Sequence, residues 1–378
     1  MKIFKINPQT DFNEICEVIR PSDEGRNLMK KKSAINFFLI KDLRSPAANI
    51  LKQDALSVGA ELVTNRDVIL NGANSAALLM ATDAQVLALA KKEAAQDFGL
   101  KNLAKFLKSP FKKPQRAQIM GVVNVNEDSF NAASRVNEKS GIARIEEMIE
   151  QGAEYIDVGA VSSRPGSKYV GREVEFARLE KIVAEIYRLN LHEKAIFSLD
   201  SFDAYCLEYA LNHGFKMIND ITGDVSLCAL AARYGATYCL MHMQNNPENM
   251  QDNPHYDDLL GEIDAFFEAK IAAANELGCR DIVLDVGIGF GKTAEQNMIL
   301  IKNLEHFLRF GLPLLAGASR KSVINFYSPS EIKDRLPGSL YLHLEAFRNG
   351  AQIIRTHDVA EHAQMFRLEN AMRKLAAW

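Results

Sequence analysis

From residue 118 onward the chain repeats one unit: a short apolar run, then a longer stretch with apolar residues at helical spacing. The apolar runs lie at 118–124, 154–159, 195–200, 215–219, 237–242, 281–285, 313–317 and 351–355. Helical patterns fall between them at 138–151, 172–189, 202–213, 225–235, 257–278, 295–310 and 338–350, with a last one at 360–375. Ile145, Met148 and Ile149 mark the apolar face of the first helix, and Ile263, Phe266, Phe267 and Ile271 that of the fifth. Gly152, Gly214, Gly235, Gly278, Gly311 and Gly350 each stand just past a helix, where a glycine terminates it. Eight strand–helix units in about 260 residues is the size and grammar of a (β/α)8 TIM barrel. A doubly wound open sheet is the main rival, and it usually carries fewer units and one dominant switch-point loop.

Residues 1–112 read as a separate, smaller α/β domain, leaving 113–378 to the barrel. Met1–Ile6 and Phe37–Ile40 are strand candidates, as are Glu61–Thr64 and Val68–Leu70 around the Asn65-Arg66 turn. Ser45 is placed to cap a helix through Ala47, Leu51 and Leu56 that Gly59 stops. Thr82 or Asp83 opens another helix, and one more runs from Leu100 to Leu107. The stretch Ser109-Pro110-Phe111-Lys112-Lys113-Pro114 reads as the linker. No phosphate loop or metal spacing occurs in this domain, so a scaffold or dimerisation role outweighs a second active site.

The bulk properties narrow the function. A net charge of −3 without a long basic run does not suggest nucleic-acid binding. No apolar run approaches the ~20 residues of a membrane span. The first residues, MKIFKINPQTDF, are too polar for a signal-peptide core. Five scattered cysteines, without a zinc spacing, read as buried free thiols of a cytoplasmic protein.

In a barrel the chemistry sits at the C-terminal strand ends. Here those ends carry Asn124, Asp157, Asp200, Asn219-Asp220, His242, Asp285, Gly317-Ala318-Ser319-Arg320-Lys321 and Arg355-Thr356-His357-Asp358. One such group is readily explained as a helix cap, and Asp200 or Asp358 could be only that. Eight together point to a common site. Asp200, Asn219 and Asp285 offer acceptors and one amide to a heterocycle rich in N–H groups. Lys321 can donate to a ring carbonyl or nitrogen. Arg164, Arg355 and His357 offer cations to an anion. The loop Asp285-Val286-Gly287-Ile288-Gly289-Phe290-Gly291-Lys292 lets backbone N–H groups approach a ligand. The two halves together fit a polar bicyclic ring on a phosphorylated leaving group. An Asp200–Asp285 acid–base pair for sugar hydrolysis predicts aromatic sugar platforms, whereas the sole tryptophan is Trp378. Ser162, Ser163 and Ser319 lie on arginine-containing loops, not in a nucleophile elbow.

These residues resemble dihydropteroate synthase, the sulfonamide-inhibited enzyme of folate biosynthesis. The matching stretches run in the family's order from Ile119-Met120-Gly121-Val122-Val123-Asn124 and Asp128-Ser129-Phe130 through Ser163-Arg164-Pro165-Gly166, Ser198-Leu199-Asp200-Ser201 and Ile218-Asn219-Asp220. They continue through Leu240-Met241-His242-Met243, Asp285 to Lys292, Ser319-Arg320-Lys321-Ser322 and Arg355-Thr356-His357-Asp358-Val359. The resemblance covers the second domain, and the N-terminal unit resembles an extension of some bacterial members. It implies condensation of 6-hydroxymethyl-7,8-dihydropterin diphosphate with p-aminobenzoate, releasing pyrophosphate, in a cytoplasmic homodimer.

By the same resemblance, Asp200, Asn219, Asp285 and Lys321 match the pterin-binding positions. Ile221, Met241, Phe290 and Gly317 match further pocket positions. Asn124, Arg355 and His357 match the pyrophosphate and Mg²⁺ positions, with Asn124 the metal position. Ser163, Arg164 and Pro165 match the mobile loop of the p-aminobenzoate site, and Ser319 a further substrate contact. The first loop departs from the family: Asn126-Glu127 replaces Thr-Pro, and Ala132 stands where an aspartate is usual. Three other readings remain open: a corrinoid-dependent methyltransferase on a similar pterin barrel, a pterin-binding paralogue without catalysis, and a protein whose N-terminal unit binds another folate-pathway protein.

Overall fold

A computed structural model describes residues 1–8, 10–68, 72–125, 135–161 and 167–375, the side chains of 135–140 excepted. The chain divides into two compact units, one of Met1–Pro110 with the chain end from Glu369, the other Phe111–Leu368.

The smaller unit contains α1 (Phe12–Ile19), α2 (Asp23–Lys30), β1 (Ile35–Leu43), α3 (Ser45–Ser57), β2 (Glu61–Thr64), β3 (Ser75–Thr82), α4 (Asp83–Glu93) and α5 (Leu100–Leu107). Its antiparallel sheet has the order β1-β3-β2. Leu51, Leu62, Leu79, Leu89 and Leu100 are fully buried in its core.

Several sequence expectations are corrected here. Residues 1–6 form no strand; two helices precede β1. Val68 lies in a turn, and 69 and 70 lie outside the described residues. The third strand is Ser75–Thr82, a run of Ala, Leu and Met that local propensity assigns to a helix. Its central position between β1 and β2 supplies hydrogen bonds on both edges and overrides that propensity. Ser45 is the first residue of α3, not its cap; Arg44 holds the cap position and the Ser45 hydroxyl donates to the Val68 carbonyl at 2.5 Å.

The larger unit is a closed barrel of eight parallel strands. Its strands are β4 (Gln118–Asn124), β5 (Tyr155–Gly159), β6 (Ile196–Asp200), β7 (Met217–Asp220), β8 (Thr237–Met241), β9 (Ile282–Asp285), β10 (Leu314–Ala316) and β11 (Ala351–Thr356). The open sheet is thereby excluded: β9 pairs with β10, and β11 closes the ring onto β4. The intervening helices are α6 (Arg135–Gln151), α7 (Arg172–Arg188), α8 (Ala204–Asn212), α9 (Leu227–Tyr234), α10 (Leu259–Glu276), α11 (Ala294–Lys302), α12 (Ser322–Tyr327) and α13 (Leu336–Arg348), followed by α14 (Val359–Arg373). The helix expected over 295–310 stops at Lys302 and continues as a 3-10 stretch, Leu304–Phe310. At the break the Asn303 amide donates to the Ile299 carbonyl at 2.8 Å, a side-chain bond that competes with continued helix.

Met120, Met217, Cys239, Val283, Leu315 and Ile353 form one buried layer inside the barrel, with Tyr155 packed against it. Strand side chains alternate in direction, so the residue two positions further on faces the same interior, one level closer to the C-terminal mouth. Those residues are Val122, Asp157, Asn219, Met241, Asp285, Gly317 and Arg355. The apolar layer thus acts as a floor, and the polar strand ends stand directly above it. All five cysteines are buried and free, as expected. Among the described residues no helix is long and apolar enough to cross a membrane.

Candidate active site

Two carboxylates share one guanidinium at the mouth. Arg355 donates from Nε to Asp157 Oδ2 at 2.7 Å and from Nη2 to Asp200 Oδ2 at 2.8 Å. Asn219 Nδ2 donates to the same Asp157 oxygen at 3.0 Å. The other Asp157 oxygen is buried and has no hydrogen-bond partner among the described residues. Two carboxylates against one cation leave a net negative charge in a poorly hydrated place. Burial above all, opposed by Arg355 and reinforced by Asp157, lifts the Asp200 carboxyl from its ordinary range to about 7. Asp200 is no helix cap: Asp203 caps α8, accepting from the N–H groups of Tyr205 and Cys206. A Cβ added at Gly159 would touch Asp200 at 3.4 Å and lie 3.8 Å from Asn124 Oδ1, so Asn124 and Asp200 flank that glycine.

The second cluster belongs to the glycine loop after β9. Asp285 is buried and accepts from the Gly287 N–H at 2.7 Å. Burial raises its pKa against the pull of Lys321, that hydrogen bond and Lys292. Gly287 has φ +70, and a Cβ there would fall 2.0 Å from the His242 carbonyl oxygen. Only glycine permits that approach. Lys292 is buried beneath the loop, its Nζ bonded to the Phe290 carbonyl at 2.8 Å and to the His242 carbonyl and Nδ1 at 3.1 Å each. Burial lowers the Lys292 ammonium to about 7, and burial together with Lys292 holds His242 at about 3. The latter imidazole is therefore neutral and accepts through Nδ1. Lys321 donates to the Ile288 carbonyl and places its Nζ 4.6 Å from the centre of the Phe290 ring. Its pKa is lowered to about 8, chiefly by burial.

The third cluster joins the loops after β10 and β11. The Ser319 hydroxyl lies 2.9 Å from His357 Nδ1 and accepts from the His357 N–H at 3.3 Å. Arg320 forms a two-point ion pair with Asp358. The Asp358 side chain is thus engaged by Arg320, while its carbonyl accepts from the His362 N–H at the start of α14. Ile221, Met241 and Gly317 are buried, Ile221 in the wall of a cavity beside Asp200, Met241 paired with Asp285 and Gly317 against Arg355. That cavity, of about 280 Å³, is lined also by Tyr169, Glu175, Phe202 and Asn246. Ser163, Arg164, Pro165 and Ala132 lie outside the described residues.

The structure therefore brings Asn124, Asp200, Asn219, Asp285, Lys321, Arg355, Ser319 and His357 to one end of one barrel. Two side chains at this end of the barrel, Asp157 and Lys292, were not among the expected site residues. Asp157 ends an apolar run like Asp285 does, so its signal was present. Lys292 closes the glycine loop, but nothing in the sequence says that its ammonium turns inward. Arg355, expected to face an anion, gives its Nε and Nη2 to carboxylates.

Residues 120–357 match the protein family described as "Pterin binding enzyme". The chain is 39% identical to the "Bifunctional dihydropteroate synthase/dihydropteroate reductase" of Helicobacter pylori, over 99% of this chain and 100% of that one. The chain belongs to the dihydropteroate synthases. It resembles the Yersinia pestis dihydropteroate synthase solved as a sulfonamide drug complex, with TM-score 0.63 and 35% identity over 69% of this chain and 95% of that one. It equally resembles the Clostridium difficile dihydropteroate synthase solved in the presence of pteroic acid, with TM-score 0.63 and 35% identity over 70% and 99%. A dihydropteroate synthase is a transferase of folate biosynthesis, joining the dihydropterin diphosphate to p-aminobenzoate.

Proposed function

We propose that Asp200, Asn219 and Asp285 hold the pterin edge of the substrate, with Lys321 on the ring carbonyl or nitrogen and Ile221, Met241, Phe290 and Gly317 forming the pocket around it. The observation that carries this is the pair of carboxylates at the mouth of one barrel, the largely buried Asp200 and the buried Asp285, the latter two positions above Val283 of the apolar floor. Burial leaves both carboxyls short of donors, and a ring bearing N–H and NH₂ groups supplies them. Asp157, with one orphaned oxygen, belongs to the same acceptor set. Ser319, His357 and the remaining guanidinium N–H groups of Arg355 face the diphosphate. Ser163, Arg164 and Pro165 are assigned to the p-aminobenzoate side.

Asn124 fits a Mg²⁺ ion as a single neutral oxygen ligand at the exposed mouth beside Asp200, because Mg²⁺ prefers few protein ligands plus substrate phosphates. Such an ion, when bound, neutralises charge on the departing pyrophosphate. The residues of the chain do the rest. The acceptors fix the electron-rich ring, whose lone pairs stabilise a developing methylene cation as the C–O bond breaks. His357 and Ser319 offer hydrogen bonds to the leaving oxygens. The aniline nitrogen then attacks the methylene carbon and gives its proton to the departed pyrophosphate or to solvent, with no covalent enzyme intermediate. The exposed aromatic side chains Phe326, Tyr327 and Tyr341 on α12 and α13 support a homodimer, and five buried free thiols support the cytoplasm.

The first test is pyrophosphate release from dihydropterin diphosphate by the full chain. Release that requires p-aminobenzoate and yields dihydropteroate supports this reading. Tight pterin binding without turnover would make the chain a non-catalytic pterin binder. Methyl transfer to a corrinoid would overturn it outright.

A second activity is favoured by one observation: the match to the bifunctional Helicobacter pylori protein spans the N-terminal unit as well as the barrel. The chain is proposed also to reduce dihydropteroate, adding hydride to C6 and a proton to N5 of the product. Loss of dihydropteroate in the presence of reduced nicotinamide or reduced flavin tests it. A product that persists with both donors would rule it out.

A further inference from the structure

Two histidines outside the site just described form a directed chain of hydrogen bonds beneath it. The Ala318 N–H donates to His343 Nε2 at 2.8 Å. His343 Nδ1 lies 2.7 Å from His362 Nε2, and His362 Nδ1 lies 2.6 Å from the Asp358 carbonyl oxygen. Both rings are wholly buried, His343 on α13 and His362 at the start of α14. A backbone N–H can only donate and a carbonyl can only accept. His343 Nε2 is therefore bare, and its one proton sits on Nδ1, donated to His362. That leaves the His362 proton on Nδ1, donated to Asp358. Every ring nitrogen is assigned, and both imidazoles are neutral. A further proton on either ring would set donor against donor.

Burial agrees with that assignment. It lowers the pKa of both rings; at His343 any positive charge on His362, Lys321 or His357 would add to the shift, and at His362 Asp358 and Glu361 oppose it. Thr356 Oγ1, 3.2 Å from His362 Nδ1, reaches the Ser319 hydroxyl at 3.5 Å and so ties the relay to the loop above.

The two ends of this relay are backbone groups of two different loops. Ala318 precedes Ser319, Arg320 and Lys321; Asp358 follows Arg355, Thr356 and His357. We propose that His343 and His362 are positioning residues that lock the loop after β10 to the loop after β11, so that Ser319 and His357 present a fixed pair of groups to the anionic end of the substrate. The proposal rests on the reading of that pair as the diphosphate-facing side. The pterin-facing carboxylates stand on β6 and β9, and Lys321, the one ring-facing cation on a relay-held loop, is anchored separately to the Ile288 carbonyl of the loop after β9.

That division supplies the test. Binding of inorganic pyrophosphate and of 6-hydroxymethylpterin is measured by calorimetry on the full chain and on His343→Leu, His343→Gln and His362→Leu. Loss of the relay leaves the Ala318 N–H or the Asp358 carbonyl without its partner, and small misplacements of binding groups weaken a site by about tenfold or more. Both Leu variants are expected to lose about tenfold in pyrophosphate affinity while pterin affinity stays within about twofold. His343→Gln, which keeps one acceptor and one donor, is expected to recover most of the loss. Backbone hydrogen exchange at Ala318 should quicken in His343→Leu and stay slow in His343→Gln. Equal losses for both ligands, or none, would overturn the proposal, since a general structural defect does not separate them. Failure of the unsubstituted chain to bind pyrophosphate would instead sink the reading of Ser319 and His357 on which it rests.

Discussion

Asp200→Asn separates what the fold gains from what the site needs. In the native chain Asp157 and Asp200 compete for the single guanidinium of Arg355, and the Asp200 carboxyl stands at about 7. In the unfolded chain an aspartate titrates near 4. Between those values the native state holds a proton that the unfolded state has released. Stability from this group is therefore full at low pH and is lost as pH rises toward 7. At about 1.4 kcal/mol per factor of ten in the proton equilibrium, ionising Asp200 at pH 8 costs on the order of 4 kcal/mol. The amide removes that cost and forfeits part of a charge-assisted bond to Arg355, about 1–2 kcal/mol. The expected result is a gain of about 2–3 kcal/mol at pH 8, or roughly 4–6 °C in Tm for a barrel unit of this size, shrinking to within about 1 kcal/mol near pH 4.5. Thermal unfolding by far-UV circular dichroism across that pH range measures it. Turnover should fall at the same time, because the ring loses an ionisable acceptor. Wild-type and variant curves with the same pH dependence would refute the reasoning, since they would mean that Asp200 carries no buried charge in the folded chain.

Other outcomes follow from the same geometry. Asp285→Asn should lower pterin affinity and kcat/KM by about a hundredfold, as loss of a buried charged acceptor to a ligand does, and wild-type kinetics would sink its assignment. Gly287→Ala places a methyl 2.0 Å from the His242 carbonyl at φ +70, so thermal stability and pterin binding should both fall; an unchanged Tm would refute the clash. In Lys292→Met the His242 imidazole loses its neighbouring ammonium and should titrate above its present value of about 3, which histidine NMR reads directly. In the smaller unit Glu93 is buried, its carboxylate oxygens have no hydrogen-bond partner among the described residues, and it is lifted to about 7 by burial and then by Asp54. Glu93→Gln should therefore raise stability at pH 8 and change little near pH 4, again visible in thermal melts.

The barrel was legible because its signal is periodic and redundant. Eight apolar runs, each closed by a polar group, constrain one another in a way that no single run does. Within 113–378 the strand runs expected at 118–124 and 237–242 became β4 and β8 with at most one residue trimmed. The smaller unit was read less well: β3, Ser-Ala-Ala-Leu-Leu-Met-Ala-Thr, has the local preference of a helix, and only its neighbours make it a strand.

For the site, the sequence by itself determined which residues reach the mouth. Strand alternation places Asp157, Asn219, Asp285 and Arg355 two positions above apolar residues of the barrel floor, whatever the loops do. Tertiary structure alone decided how those groups divide their charge. That Arg355 turns to Asp157 and Asp200, that Lys292 folds under its own glycine loop, and that His343 meets His362 across two helices depends on residues 50 to 198 positions apart in the chain for the first two. Burial then sets their protonation, because desolvation is a property of the whole surrounding volume and not of any neighbour in sequence.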